Sequence, residues 1–123
     1  SSDDTVRKID PNGNQVWRLT GHTNWVYGVA VDANGYVYSG SVDNTVKKID
    51  PNGNEVWSFT GHTYIVQSVA VDANGYVYSG SSDDTVRKID PNGNQVWSFT
   101  GHTNWVYGVA VDPGTVGSGN WAL

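Results

Sequence analysis

The chain of 123 residues contains no cysteine and no methionine, so a disulfide, a thiol nucleophile and a thiolate metal site are all excluded. Basic residues are scarce: seven Lys and Arg stand against twelve Asp and Glu, for a net charge of -5, and they are spread along the chain instead of clustering. That pattern argues against nucleic acid or an anionic membrane surface as the main partner. No apolar run approaches the ~18 residues that a membrane span needs. Helical periodicity is missing too, because Gly or Pro interrupts the chain every ten residues or so. The sequence opens at Ser1 without a recognisable leader, which leaves the compartment unassigned. What is present, 15 Gly with abundant Val, Tyr and Trp, suits short strands and tight turns.

A period of 40 residues organises the whole chain. The unit Gly21–Thr60 returns as Gly61–Thr100; its front half returns from Gly101, and its back half stands alone as residues 1–20. Such self-similarity decides the architecture before any local feature does. Within a unit, four short runs are separated by three turns. Strand a is Val26–Asp32, closed by Asn34-Gly35, whose pairing suits the positive φ of a hairpin turn. Strand b is Tyr36–Ser41 and strand c is Thr45–Asp50; Pro51-Asn52-Gly53-Asn54 then turns the chain into strand d, Glu55–Thr60. Alternation along strand d puts Trp57 and Phe59 on one face with Glu55. Regular short strands at this spacing predict an all-β fold, a β-propeller of four-stranded antiparallel blades.

Particular residues carry a family resemblance. The segment Ser79-Gly80-Ser81-Ser82-Asp83-Asp84-Thr85-Val86-Arg87-Lys88-Ile89-Asp90, with Gly-His pairs at Gly21-His22, Gly61-His62 and Gly101-His102, resembles the WD40 family. That resemblance implies a blade-locking bond from each His to the Asp of the b–c turn. Carried over, His22 meets Asp43 and His62 meets Asp83. Ile9, Ile49 and Ile89 stand where the family has its strand-c Trp, so the tetrad is incomplete. A second likeness, through Asp90-Pro91-Asn92-Gly93-Asn94-Gln95-Val96-Trp97, is to quinoprotein-like propellers. Both imply the same architecture.

The organisation expected is one propeller domain in four parts: 1–20 (strands c and d), 21–60, 61–100, and 101–123 (strand a, with a Gly-rich strand b at Thr115–Gly119). His102 and Asp3 would meet if one chain's tail paired with the next chain's head. An arc of three blades leaves exposed edges that rotational closure removes. Three chains would give nine blades and two would give six; near-identical blades favour the trimer. An open filament and excision from a longer propeller are the other possibilities.

Residues 1–32 differ from 81–112 at two positions, whereas 41–80 differs from 1–40 at ten. Four of the ten follow Gly-His: Tyr64, Ile65, Gln67 and Ser68 replace Asn24, Trp25, Tyr27 and Gly28. Drift in a tolerant loop explains this as well as recognition does. As a recognition face, the candidates are Asn24, Trp25, Tyr27, Tyr64, Ile65, Gln67, Asn104, Trp105 and Tyr107, since Trp and Tyr concentrate binding energy. One His per unit, each with an Asp at family spacing, reads as structural hydrogen bonding and not as a metal site. The Asp-Pro-Asn-Gly-Asn and Asp-Ala-Asn-Gly loops lack a closing carboxylate for calcium and read as turns. Trp17, Trp57 and Trp97 fit blade-to-blade packing better than a ligand pocket. No triad, carboxylate pair or phosphate loop stands apart from the repeat, which leaves neither catalytic residues nor a cofactor. The expected role is a non-catalytic scaffold binding a protein or peptide. A multivalent lectin binding a glycan is the alternative, and a quinoprotein-type enzyme is the weakest reading.

Overall fold

The computed structural model describes residues 4–100 together with the strands Val109–Val111 and Asn120–Ala122. Twelve strands form within it, and those of residues 4–100 begin or end within a residue or two of a Gly, Asn or Pro turn. β1 (Val6–Ile9) and β2 (Gln15–Leu19) make a two-stranded sheet. β3 (Val26–Val31), β4 (Val37–Ser41), β5 (Val46–Ile49) and β6 (Glu55–Phe59) make a four-stranded antiparallel meander. β7 (Val66–Val71), β8 (Val77–Ser81), β9 (Val86–Ile89) and β10 (Gln95–Phe99) repeat it. β11 (Val109–Val111) pairs with β12 (Asn120–Ala122). The strand expected at Thr115–Gly119 falls outside the described residues; the partner of the tail's strand a is Asn120–Ala122 instead.

Side-chain chemistry closes the turns. Asp32 Oδ1 accepts from the amides of Asn34 and Tyr36, and Asp50 Oδ1 accepts from those of Asn52 and Asn54. Both are Asx turns, in which a short carboxylate substitutes for a backbone acceptor. Backbone hydrogen bonds to Asp50 lower its pKa. At the b–c turn a non-glycine residue takes the left-handed conformation, with Asn44 at φ 72° and Asp84 at φ 70°; Asn and Asp tolerate it best.

A bulge overturns the simple alternation in strand d. Lys48 pairs with Trp57 but Ile49 pairs with Glu55, so Val56 is left over between them. An extra residue moves everything beyond it to the other face. Glu55 therefore leaves the Trp57 and Phe59 face and takes the Lys47 ammonium at 2.9 Å on the opposite one.

Each face of the central sheet carries an apolar cluster. On one, Tyr38, Val46 and Phe59 pack with Val66, Val69, Val77 and Ile89 of the following sheet. On the other, Val26, Val37 and Ile49 pack with Val6, Trp17 and Leu19 of the preceding strands. A fully buried Val or Ile contributes about 1.5–3 kcal/mol, so these joints outweigh any single turn bond. The a strands converge most closely: a Cβ on Gly28 would lie 3.0 Å from the Ser68 Cα. Coverage is incomplete at β3 and at β1. Val29 is 56% exposed where its counterpart Val69 is 7% exposed, and Ile9 is 61% exposed where Ile49 and Ile89 are fully buried.

Gly40 provides the hollow that receives Val66 and Val69. A Cβ there would lie 2.6 Å from Val66 Cγ1 and 3.2 Å from Val69 Cγ1. Both valines are β-branched, buried and stiff. Gly40→Ala should therefore destabilise the chain by about 1–3 kcal/mol through overpacking, read as a lower urea midpoint; an unchanged midpoint would mean that the sheets are not held in this register.

Candidate functional site

Two groups of residues share one end of the blades. The first starts from histidine at the entry to strand a. His22 and His62 are nearly inaccessible, at 3% and 4% exposed, and a buried imidazole needs partners for both nitrogens. His22 Nδ1–H donates to Asp43 Oδ2 at 2.9 Å, and its Nε2 accepts from the Ser39 hydroxyl at 2.6 Å. The carboxylate can only accept, which fixes the proton on Nδ1. Asp43 also accepts from the Thr23 amide at 2.9 Å, the Thr45 amide at 3.0 Å and the Thr45 hydroxyl at 2.5 Å. His62, Asp83, Ser79, Thr63 and Thr85 repeat every bond.

The structure thus brings His22 to Asp43 and His62 to Asp83. His102 and Asp3 lie outside the described residues. Ser39, Ser79, Thr45 and Thr85 belong to these networks and were missed in the sequence. Their only signals there are Ser-Gly-Ser ending strand b and Thr two residues after Asp, both easily taken as turn composition.

Burial lowers the pKa of both histidines, against the pull of their aspartates. Burial alone would raise Asp83, but the Thr85 hydroxyl, His62 and the Thr63 amide together bring it down to about 2. Asp43 is lowered in the same way, burial being outweighed by Thr45, Thr23 and His22. The histidines are neutral in the fold, and none of their nitrogens is left for chemistry.

The second group lies beside the first and depends on it. The Ser41 hydroxyl donates to the carbonyls of Asn24 and Trp25, at 3.1 and 2.7 Å, and the Val42 amide donates to the Trp25 carbonyl at 2.8 Å. Ser81 and Ser82 hold Tyr64 and Ile65 in the same way. The b–c turn that the aspartate organises therefore fixes the backbone from which the rim side chains project. Trp25, Tyr27 and Tyr64 are each 47% exposed, and the Trp25 and Tyr27 rings lie 6.4 Å apart. Asn24 is exposed and bonds the Trp25 amide. Ile65 is half-buried, and Gln67 turns aside to donate to Ser82 Oγ at 3.0 Å. Asn104, Trp105 and Tyr107 lie outside the described residues.

At the other end, a cleft of about 260 Å³ opens between the two complete sheets, lined by Asp32, Tyr36, Tyr38, Lys48 and Pro91 among others. Its polar groups are used internally. Tyr38 donates to Asp32 at 2.7 Å, and Lys48 sits 4.7 Å over the Tyr36 ring while donating to the Pro91 carbonyl. Burial and the Asp32 carboxylate both push the Tyr38 pKa up. Among the described residues no three His, Cys, Asp or Glu side chains converge on a point where a metal could be held.

Acid should loosen the fold in two stages. The histidines have lowered folded pKa values, so their contribution is complete above 6.5 and is lost as pH falls below it, when the unfolded chain takes protons first. Asp83 contributes above 3.8 and its contribution is lost as pH falls towards about 2. Asp83→Asn should shrink the second stage, leaving the share that Asp43 contributes, and cost about 1–3 kcal/mol at neutral pH. Denaturant midpoints measured from pH 8 to pH 2 check both, and an acid limb unchanged in the variant would remove Asp83 from the account.

The model of the family described as outer membrane protein assembly factor BamB matches residues 2–116. No curated protein matches the sequence. Among solved structures, that of U3-55K superimposes with a TM-score of 0.84 at 22% identity, covering 89% of this chain. That likeness is one of fold alone, and the chain spans 37% of that protein's length. With four-stranded antiparallel meanders stacked face to face and a repeat model matched over nearly the whole sequence, the chain belongs to the family of β-propeller repeats described as outer membrane protein assembly factor BamB.

Proposed function

We propose that this chain is a non-catalytic propeller scaffold that closes into a ring with copies of itself and binds a protein or peptide on the Trp25 rim. One observation carries the binding reading. The exposed aromatics Trp25, Tyr27 and Tyr64 stand on a backbone pinned by Ser41 and Ser81, at the place where the repeats differ most. Rigid, half-exposed aromatics supply contact area at low entropic cost, the property of binding anchors. The histidines and aspartates beside them are neutral or paired, which supports a locking role for His22–Asp43 and His62–Asp83 and no role in catalysis. A family named for an assembly factor fits a protein partner better than a glycan.

Closure is supported by the open faces of the stack. Val29 and Val31 stand exposed where the next sheet's Val69 is buried, and among the described residues the sheet before them is the pair β1–β2, equivalent to strands c and d. The tail supplies a strand pair equivalent to a and b. A second copy's tail beside this copy's head would complete a four-stranded blade and remove both edges. Three copies give nine blades and two give six; the near-identity of the units supports the larger ring.

Light scattering over a dilution series should give a mass of three chains; two chains would set the ring at six blades, and a single chain at every concentration would overturn closure. In panning of a displayed peptide library, Trp25→Ala should weaken the selected peptides at least tenfold, about 1.4 kcal/mol, without lowering the melting temperature. Peptides unaffected by Trp25→Ala would move the site off the rim. Selective capture on a glycan array, with an integer number of sites per ring, would replace this reading by the lectin.

A further inference from the structure

We propose that the Trp97 indole of one copy seats on the Pro11–Gly13 turn of a second copy, so that Trp97 and Gly13 are the two halves of the contact joining copies head to tail. The inference rests on the ring closure proposed above and names the residues that hold it.

The contact already occurs twice within the chain. Trp17 Nε1–H donates to the Pro51 carbonyl at 3.0 Å, and its ring lies against the turn so closely that a Cβ on Gly53 would come within 2.7 Å of it. One repeat later, Trp57 Nε1–H donates to the Pro91 carbonyl at 3.0 Å, and a Cβ on Gly93 would come within 2.8 Å. The seat has the same sequence each time, Asp-Pro-Asn-Gly-Asn, with glycine at φ 92° or 91°. Only a residue without a side chain leaves room for the indole, and the same residue meets the turn's need for positive φ.

Each half of a third contact is present without its mate. Trp97 is held in the pose of Trp57: its ring lies 6.3 Å from Tyr78 at 45°, as Trp57 lies 6.4 Å from Tyr38 at 46°. It is 36% exposed, and among the described residues its N–H meets no acceptor. The turn Asp10-Pro11-Asn12-Gly13-Asn14 is formed, with Gly13 at φ 87° and its amide on the Asp10 carbonyl, yet nothing lies within 4 Å of where a Cβ would stand. The surroundings match as well. Phe99 is 51% exposed where Phe59 is 7%, and Ile9 is 61% exposed where Ile49 and Ile89 are fully buried. Lys88, posed 4.5 Å over Tyr76 as Lys48 is over Tyr36, would share the Pro11 carbonyl as Lys48 shares that of Pro91.

One copy cannot make this contact with itself. Gly13 lies on the strand pair at one side of the central sheet and Trp97 on the sheet at its other side, and packed sheets are ~10 Å apart. The turn of a second copy has the sequence, backbone conformation and empty space that the internal contacts use.

The test is the association midpoint of the full 123-residue chain, by light scattering and native mass spectrometry, with circular dichroism as the check on folding. Trp97→Ala removes one half. Gly13→Asn blocks the other: asparagine tolerates positive φ, so the isolated turn accepts it, while its Cβ occupies the indole's place. Gly35→Asn is the control for backbone strain, since Gly35 has φ 86° and only ordinary contact with Pro51 at 3.6 Å. Trp97→Ala and Gly13→Asn should each raise the midpoint at least tenfold, and Gly35→Asn should not. Mixed in equal amounts, the two variants should form pairs and stop there, because the mixture restores one contact and leaves the other doubly broken. A wild-type oligomer whose midpoint neither variant moves would overturn this contact while leaving ring closure standing. A wild-type chain that never associates would overturn both.

Discussion

A four-stranded sheet has two faces, and in this chain both are apolar. Everything else follows from the need to cover them. The central meander does so by taking Val6, Trp17 and Leu19 on one side and Val66, Val69, Val77 and Ile89 on the other. Its stability is thus borrowed from its neighbours, as in any repeat architecture, where a single unit cannot bury its own hydrophobic surface. The contrast between Val69 and Val29, the same residue at equivalent positions with opposite exposure, shows that position in the stack and not residue type decides burial.

The polar chemistry serves that stacking. His22 and His62 each stand at the crossing between one sheet and the next, tied to the Asp of the following b–c turn and to a serine on strand b. Buried polar groups are tolerated when every donor and acceptor is used, and the network meets that condition with neutral imidazole and ionised carboxylate. Through Ser41 and Ser81 the same turn sets the backbone of the rim. Trp25 and Tyr64 are consequently presented by the most constrained part of the blade, although they lie on its surface.

Much of this was legible in the sequence. Asn-Gly and Asp-Pro-Asn-Gly-Asn marked the turns, so the strands of the complete units were placed to within a residue at their ends, and the resemblance to the WD40 family paired His22 with Asp43. What escaped depends on register. Val56 reads as one more alternating residue, and only pairing with strand c shows it as the bulge that carries Glu55 to Lys47. Ser39 and Thr45 are short polar residues of a kind that fills any turn; their place beside His22 depends on which strands lie side by side. Gln67 was grouped with the rim, and Ser82 draws it away. Trp17 reads from the sequence as blade-to-blade packing, and the structure gives that packing its seat, the Pro51–Gly53 turn of the next sheet.

The recurrence of that seat has an evolutionary side. Adding or deleting one 40-residue unit by unequal recombination adds or removes an indole and a glycine together and leaves every remaining contact of the same kind. No intermediate on such a path would need a new interface. Copy number in a gene of this type can therefore drift at little structural cost, and divergence is free to accumulate where blades do not touch. Of the four substitutions after Gly61-His62, the exposed Tyr64 lies in that territory, whereas Ser68 lies against Gly28 of the neighbouring sheet. For such a lineage, the number of blades is a variable and the contact between them is the inherited character.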